Sequence, residues 1–369
     1  MSTAPRAETQ GLGYPQAIWL VAEREIASKL RSKAFVISTA IMLLVALAGV
    51  IWAGFAASSQ TGTPVAVTAD AQQYVEGLPG VEVTDVADKA AAEALVKDGT
   101  VDAAIVGDPA SPMGFAVVAD DSAPTQLLLT LAQLPPVELL NPEGGATAAL
   151  GYIAAIGFGI VFLLAASLFG STIAQSVVEE KQTRVVELLI SAIPVRALLA
   201  GKVIGNTILA MGQILVLAAI AVIGLTVTDQ TAMLQGLGAP IAWFAIFFLF
   251  GFILLASLFA AAASMVSRQE DIGSTTMPIT MLIMAPYFLV IFFNDNPLVL
   301  TIMSYVPFSA PVGMPMRIFL GQAQWWEPLV SLVILVATCI AAILVAARIY
   351  QNSLLRMGGR VKLSEALAG

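Results

Sequence analysis

The chain has no histidine and a single cysteine, Cys339, which lies in an apolar run. A disulfide framework, a thiolate–imidazole pair and a histidine-ligated metal site are therefore excluded within one chain. Charge is scarce too: Asp, Glu, Lys and Arg make up 11% of the 369 residues, apolar residues 58%, and the mean hydropathy is +0.88. That composition belongs to integral membrane proteins. No phosphate-binding G-x-x-x-x-G-K-[ST] loop occurs; Gly201-Lys202 has Arg196 where the first glycine belongs and Val203 where the hydroxyl belongs. An H-E-x-x-H helix is impossible and no G-x-S-x-G elbow is present. Away from span ends, no Asp, Glu, Lys or Arg falls inside an apolar run. A charge at mid-membrane costs about 2.5–3.5 kcal/mol on insertion scales and marks proton relays and intramembrane aspartyl dyads. Neither is expected here, so energy for any transport must come from elsewhere.

What is present is a series of long apolar runs. Crossing the hydrocarbon core takes roughly 20 residues. Residues 34–57 meet that length without a charge, as do 150–174, 203–227, 241–266, 273–293 and 329–347 within a residue or two of their ends. Six spans are expected, the fifth carrying Pro278 and Pro286. Ahead of the first, residues 1–13 read as a polar lead-in without the apolar core of a signal peptide. Residues 15–33 read as an amphipathic helix with Trp19, Ala22, Ile26 and Leu30 on one face, suited to lie along the inner membrane interface rather than to serve as a plain linker.

Lysine and arginine set the orientation. Fourteen fall on the side of both termini and three, Lys89, Lys97 and Arg317, on the other. Both termini, the tail 348–369 and the segment 176–202 are thus expected in the cytoplasm, the chain being multi-pass in a bacterial plasma membrane. Residues 58–149 become an extracytoplasmic domain, where thirteen of the 25 carboxylates cluster between Asp70 and Glu143. Alternation predicts strands over 63–70, 101–106 and 114–118. Helical spacing predicts helices over 87–97, closed by Asp98-Gly99, and over 124–134. Asp120 and Asp121 are read as a solvated turn, since no further oxygen ligands follow at regular spacing; no metal site is expected. The fold class is an α-helical integral membrane protein with six transmembrane helices and a small α/β domain inserted between helices 1 and 2.

Residues 298–321 are apolar but broken by prolines in Tyr305-Val-Pro-Phe-Ser-Ala-Pro-Val-Gly-Met-Pro-Met-Arg317, which suits short re-entrant or interfacial helices. Arg317 is expected to snorkel to the outer headgroups, with a place in a transport pathway as the alternative. Asn206 and Gln213, seven apart in the third span, could line a path or hydrogen-bond between helices; the latter is preferred. Leu163-Leu-Ala-Ala-Ser-Leu-Phe169 and Ile253-Leu-Leu-Ala-Ser-Leu-Phe259 echo each other, either as a remnant duplication or, as preferred, by chance, with small residues suited to close packing.

The chain is organised around the polar segment 176–202, with seven charges: Glu179, Glu180, Lys181, Arg184, Glu187, Arg196 and Lys202. Val178, Val185, Leu188 and Leu189 fall on one helical side, and Pro194 ends the helix. A helix–break–helix with an apolar side needs a partner or a membrane surface. The order Glu-Glu-Lys-x-x-Arg-x-x-Glu-x-Leu-Leu-x-Ser-x-x-Pro-x-x-x-Leu-Leu-x-Gly-Lys over 179–202 resembles the cytoplasmic signature of permease subunits of type-2 ABC exporters, in the branch that includes the bacterial sodium-exporter permease. The proline-rich 305–317 stretch resembles the same family. The resemblance implies a non-catalytic permease that works as a homodimer or with a related permease. A separate P-loop ATPase binds ATP and Mg and docks on this segment. It implies that Glu179, Glu180, Lys181, Arg184, Glu187, Leu188, Gly201 and Lys202 couple the two. A helix-stabilising i,i+4 pair between Glu180 and Arg184 is the plainer alternative. No cofactor in this chain and no nucleic acid are expected; the bilayer is the other partner. The sodium assignment does not carry over, because no acidic or cage-like intramembrane site is present. A membrane sensor acting through its outside domain and a secondary carrier are the competing readings. The inside segment favours the exporter.

Overall fold

The computed structural model describes residues 13–58, 63–75, 78, 81–109, 111, 113–120, 127–128, 131, 142–183, 185–227, 231–293, 296–356 and 359–368. It divides into two compact units, Met1–Ala48 with Asn141–Gly369, and Gly49–Leu140. Arg184, Asp121 and the lead-in 1–12 lie outside the described residues.

In the smaller unit, strands β1 (Thr63–Thr68), β2 (Val81–Val86), β3 (Ala103–Gly107) and β4 (Phe115–Val118) form a sheet of order β2-β1-β3-β4. β1 runs parallel to β2 and β3, and β4 returns antiparallel to β3. Side chains alternate across the sheet. Val65, Val67, Ala103 and Ile105 pack one face with Ala71, Val75 and Leu127. Ala66, Ala104 and Val106 pack the other with Ala92 and Val96 of helix α3 (Lys89–Lys97). Asp88 caps α3 by accepting from the Ala91 amide at 2.8 Å, and Gly99 turns the chain out at φ +69°. The strand β2 was not among the expected elements, and the helix expected over 124–134 lies largely outside the described residues.

The larger unit is helical: α1 (Tyr14–Arg31), α2 (Lys33–Ser58), α4 (Pro142–Gln182), α5 (Val185–Ala192), α6 (Val195–Val227), α7 (Thr231–Ser264), α8 (Ile272–Phe292), α9 (Pro297–Tyr305), α10 (Ala310–Phe319), α11 (Glu327–Ser353) and α12 (Leu363–Ala368). Among the described residues, five stretches are long and apolar enough to cross a membrane: Ile156–Gln182, Val195–Val227, Gly236–Ser264, Gln269–Phe292 and Glu327–Ser353. The first expected span qualifies as a sixth only jointly, as Tyr14–Arg31 with Lys33–Gly49 across a 72° bend. The chain is a multi-pass membrane protein. Pro278 and Pro286 are both accommodated within α8.

α4 and α7 form the spine of the core through a ladder of rings at helical spacing. Phe158 meets Phe244 at 4.9 Å, Phe162 meets Phe248 at 5.9 Å and Phe169 meets Phe252 at 5.7 Å. The two echoing segments share this core: Ala165, Ala166 and Phe169 are buried with Leu255, Ala256 and Phe259. α10 is buried from Ala310 through Arg317, and Gly313 lets it approach the Met303–Ser304 backbone, where an added Cβ would meet atoms at 3.2 Å. Residues 297–319 thus form two short packed helices joined at 306–309.

Arg317 does not snorkel. It is 4% exposed, and its guanidinium reaches both Glu327 carboxylate oxygens at 3.0 Å, the Ser304 hydroxyl at 3.0 Å and the Gln322 carbonyl at 3.1 Å. Glu327, at the start of α11, supplies the counter-charge that removes any need to reach headgroups.

Candidate coupling site

The segment 176–202 is not one polar loop. Its first seven residues are the last two turns of α4, and its last eight are the first turns of α6. Between them α5 stands alone, ended by Pro194 as expected. The expected apolar side is divided: Val178 and Val186 are fully buried, Leu189 is packed against the core, and Val185 and Leu188 are exposed, Leu188 at 74%. The exposed surface therefore runs from Glu179 through Gln182 and Thr183 to Val185, Glu187, Leu188, Ser191 and Ala192.

Four of the expected coupling residues, Glu180, Lys181, Gly201 and Lys202, lie inside the protein. Lys202 is fully buried and sits at the centre of a charge knot. Its Nζ donates to Glu25 Oε1 at 2.7 Å and to the Ser176 hydroxyl at 2.8 Å. It also lies 2.9 Å from Glu180 Oε2, an ion pair without hydrogen-bond geometry. Arg24 donates to Glu180 from the outer side and lies 3.5 Å from Glu25. Two cations and two carboxylates from α1, α4 and α6 thus balance each other. Pairing is what makes burial tolerable, since an unpaired interior charge is strongly destabilising. Glu180 is committed to Arg24 and Lys202; its expected i,i+4 partner Arg184 lies outside the described residues.

Lys181, also fully buried, has a different environment. Its ammonium donates to the Ser264 carbonyl at 2.7 Å and the Ser353 carbonyl at 2.9 Å, the last residues of α7 and α11. Helix C-termini expose unpaired carbonyls and carry the negative end of the helix dipole, so one cation ties three helix ends together.

Gly201 has a packing role. A Cβ there would fall against Val21 and 2.7 Å from the Ile18 carbonyl, and at Gly205 one would fall 2.8 Å from the Ala22 carbonyl. The pair forms a small-x-x-x-small groove into which α1 settles. α1 therefore turns Ala17, Val21, Ala22 and Glu25 to the bundle; of the face expected along the membrane interface, Ala22 is buried and Trp19 and Leu30 are each 56% exposed. Asn206 is buried and donates back to Lys202 O at 2.8 Å in its own helix, while Gln213 reaches Met42 Sδ of α2 at 3.0 Å. Asn206 Oδ1 and Gln213 Oε1 have no hydrogen-bond partner among the described residues.

Glu25, Arg24, Ser176 and Gly205 were not anticipated. The signal for them was the Gly201-x-x-x-Gly205 spacing, which calls for a close helix neighbour. A buried acid four residues beyond Val21 on that neighbour then answers Lys202. No group of three or more acidic or cysteine side chains able to hold a metal occurs among the described residues.

Comparison with known proteins agrees with this architecture. A family model described as ABC-2 family transporter protein matches residues 33–348. The uncharacterized protein YhaP of Bacillus subtilis (strain 168) is 28% identical over 228 residues, covering 58% of this chain and 54% of that protein. The uncharacterized protein MJ1024 of Methanocaldococcus jannaschii is 27% identical over 210 residues, covering 56% and 51%. The chain spans about half the length of these curated relatives. No solved structure matches it. With the family match running from the start of α2 to the last turns of α11, the chain belongs to the ABC-2 transporter family as a membrane-spanning permease.

Proposed function

We propose that the chain is the permease subunit of an exporter driven by ATP hydrolysed on a separate P-loop subunit, which docks on α5 and the exposed end of α4. ATP and Mg belong to that partner, and this chain contributes no catalytic group. Both termini and the α5 end face the cytoplasm, the sheet-containing unit lies outside, and the pathway forms between two permeases, identical or related. The observation that carries this reading is the pairing of an exposed short helix with a buried charge knot on its flanks. A push on Leu188 and Glu187 is delivered through Glu180 to Arg24 and Lys202, and so to α1 and α6. Lys181 delivers it to the ends of α7 and α11. Gly201 serves this route by holding α1 close.

The test is purification of the tagged chain from its own membranes in mild detergent, with companions identified and ATPase activity assayed. Leu188→Asp combined with Glu187→Lys alters only exposed side chains. It should leave the chain folded and remove a P-loop ATPase that accompanies the unaltered protein. Retention of the ATPase by the double variant, or its absence from the unaltered preparation, would overturn the docking assignment.

A further inference from the structure

A groove of about 940 Å³ opens along α6, α7 and α11 in the helical unit. One end carries two cations, Arg196 in the first turn of α6 and Arg348 near the end of α11, with Gln351 beside them. Beyond them the walls are mostly hydrocarbon, from Leu199 and Val203 to Ile208 on α6, with Ile253 and Leu344 facing, and the Thr207 and Ser257 hydroxyls that also line it donate to carbonyls of their own helices. Among the described residues, no carboxylate lines the groove. Both arginines are exposed, and neither forms an ion pair among the described residues. Lys181 is held by two carbonyls, and Lys202 and Arg24 by the knot.

The groove's length has a physical counterpart. Arg196 and Ile208 are twelve residues apart on one helix, about 18 Å at 1.5 Å per residue. That is close to one leaflet, half of the roughly 30 Å hydrocarbon core. A peptide occupant would have to satisfy two guanidinium groups at the mouth of a hydrocarbon trough. A phospholipid brings an anionic phosphate and then acyl chain in the order the groove offers them. Basic pockets between membrane helices hold anionic headgroups in this manner.

We propose that this groove is a binding site for an anionic phospholipid of the leaflet at the α5 end, its phosphate held by Arg196 and Arg348 and one acyl chain lying along α6. The site is separate from the docking surface on α5 and does not depend on an ATPase partner.

The test uses the full-length chain, delipidated in detergent and mixed with phosphatidylglycerol and phosphatidylcholine of identical acyl chains, with bound lipid counted by native mass spectrometry. Each near-surface cation strengthens anionic-lipid binding about fivefold, so two predict a preference for phosphatidylglycerol on the order of 25-fold. Arg196→Gln with Arg348→Gln should reduce that preference to about twofold or less while phosphatidylcholine binding persists. Ala200→Trp, which fills the groove, should remove both lipids. If this third variant does not fold, the selectivity of the double arginine variant decides alone, because both side chains are exposed. Wild-type selectivity in the double variant, or no selectivity in the unaltered chain, overturns the proposal. So does a change of oligomeric mass in Ala200→Trp with lipid selectivity intact, which would assign the groove to a second copy.

Discussion

Two buried ionic clusters sit at opposite ends of the helical unit, and they are built differently. α11 joins them: Glu327 is its first residue and Ser353 its last, about 39 Å apart at 1.5 Å per residue. At the Glu327 end, one fork-shaped cation meets one carboxylate ten residues away. Glu327 also accepts from the Gln324 amide at 2.6 Å and the Tyr305 hydroxyl at 2.9 Å, and Arg317 Nε is the only group of this latch left without a partner among the described residues. At the Ser353 end, Lys202 is shared between two carboxylates from different helices. Glu180 Oε2, Asn206 Oδ1, Tyr350 Oη and Ser353 Oγ lack hydrogen-bond partners among the described residues. A nearly saturated pair fixes one geometry; a shared, less satisfied one has other pairings within reach. Under the proposed coupling route, the latch suits an end that stays fixed and the knot suits an end that moves.

The largest effect should come from Lys202→Met. Glu25 and Glu180 would lose their common buried counter-charge, a loss on the order of 3–5 kcal/mol, read as a lower thermal unfolding midpoint in detergent. Adding Glu25→Gln should recover part of it, since the two sites interact. Arg317→Met at the other end should cost less, about 2–3 kcal/mol, because Glu327 keeps the Gln324 amide and Tyr305 hydroxyl. If both variants lose equal stability, the two clusters are not distinguished by satisfaction. Gly205→Val should cost about 1–3 kcal/mol by overpacking and should raise proteolytic cleavage in 14–31 without affecting 297–327. Tyr305→Phe removes one hydrogen bond from a latch that has others, so a shift of about 1 kcal/mol is expected. A larger loss would show that the latch is less redundant than its contacts indicate.

The spans were legible because a charge-free apolar run of roughly 20 residues or more matches the thickness of a bilayer core and exceeds what a small soluble core can cover. In the sheet unit, β1, β3, β4 and α3 were legible from alternation, helical spacing and the Asp98-Gly99 close. β2 was not, because Val81-Glu-Val-Thr-Asp-Val86 is an edge strand with its middle residues exposed, and half of its pattern is polar. At the candidate site the sequence located the segment and the break at Pro194. It could not show that Glu180, Lys181 and Lys202 point inward, since their partners are the acid at 25, a backbone carbonyl at 264 and another at 353. Those distances in sequence carry no periodic signal. Arg317 was misplaced for a related reason: its counter-charge Glu327 stands ten residues on, beside the exposed aromatics Trp325 and Trp326, where a carboxylate reads as solvated.

The most direct measurement is hydrogen–deuterium exchange on the complex purified from native membranes, with and without ATP and Mg. Movement at the knot end predicts a change in exchange across 14–31 and 185–202, with 297–327 unchanged. A change confined to 297–327, or none in either region, would contradict the assignment of the coupling end.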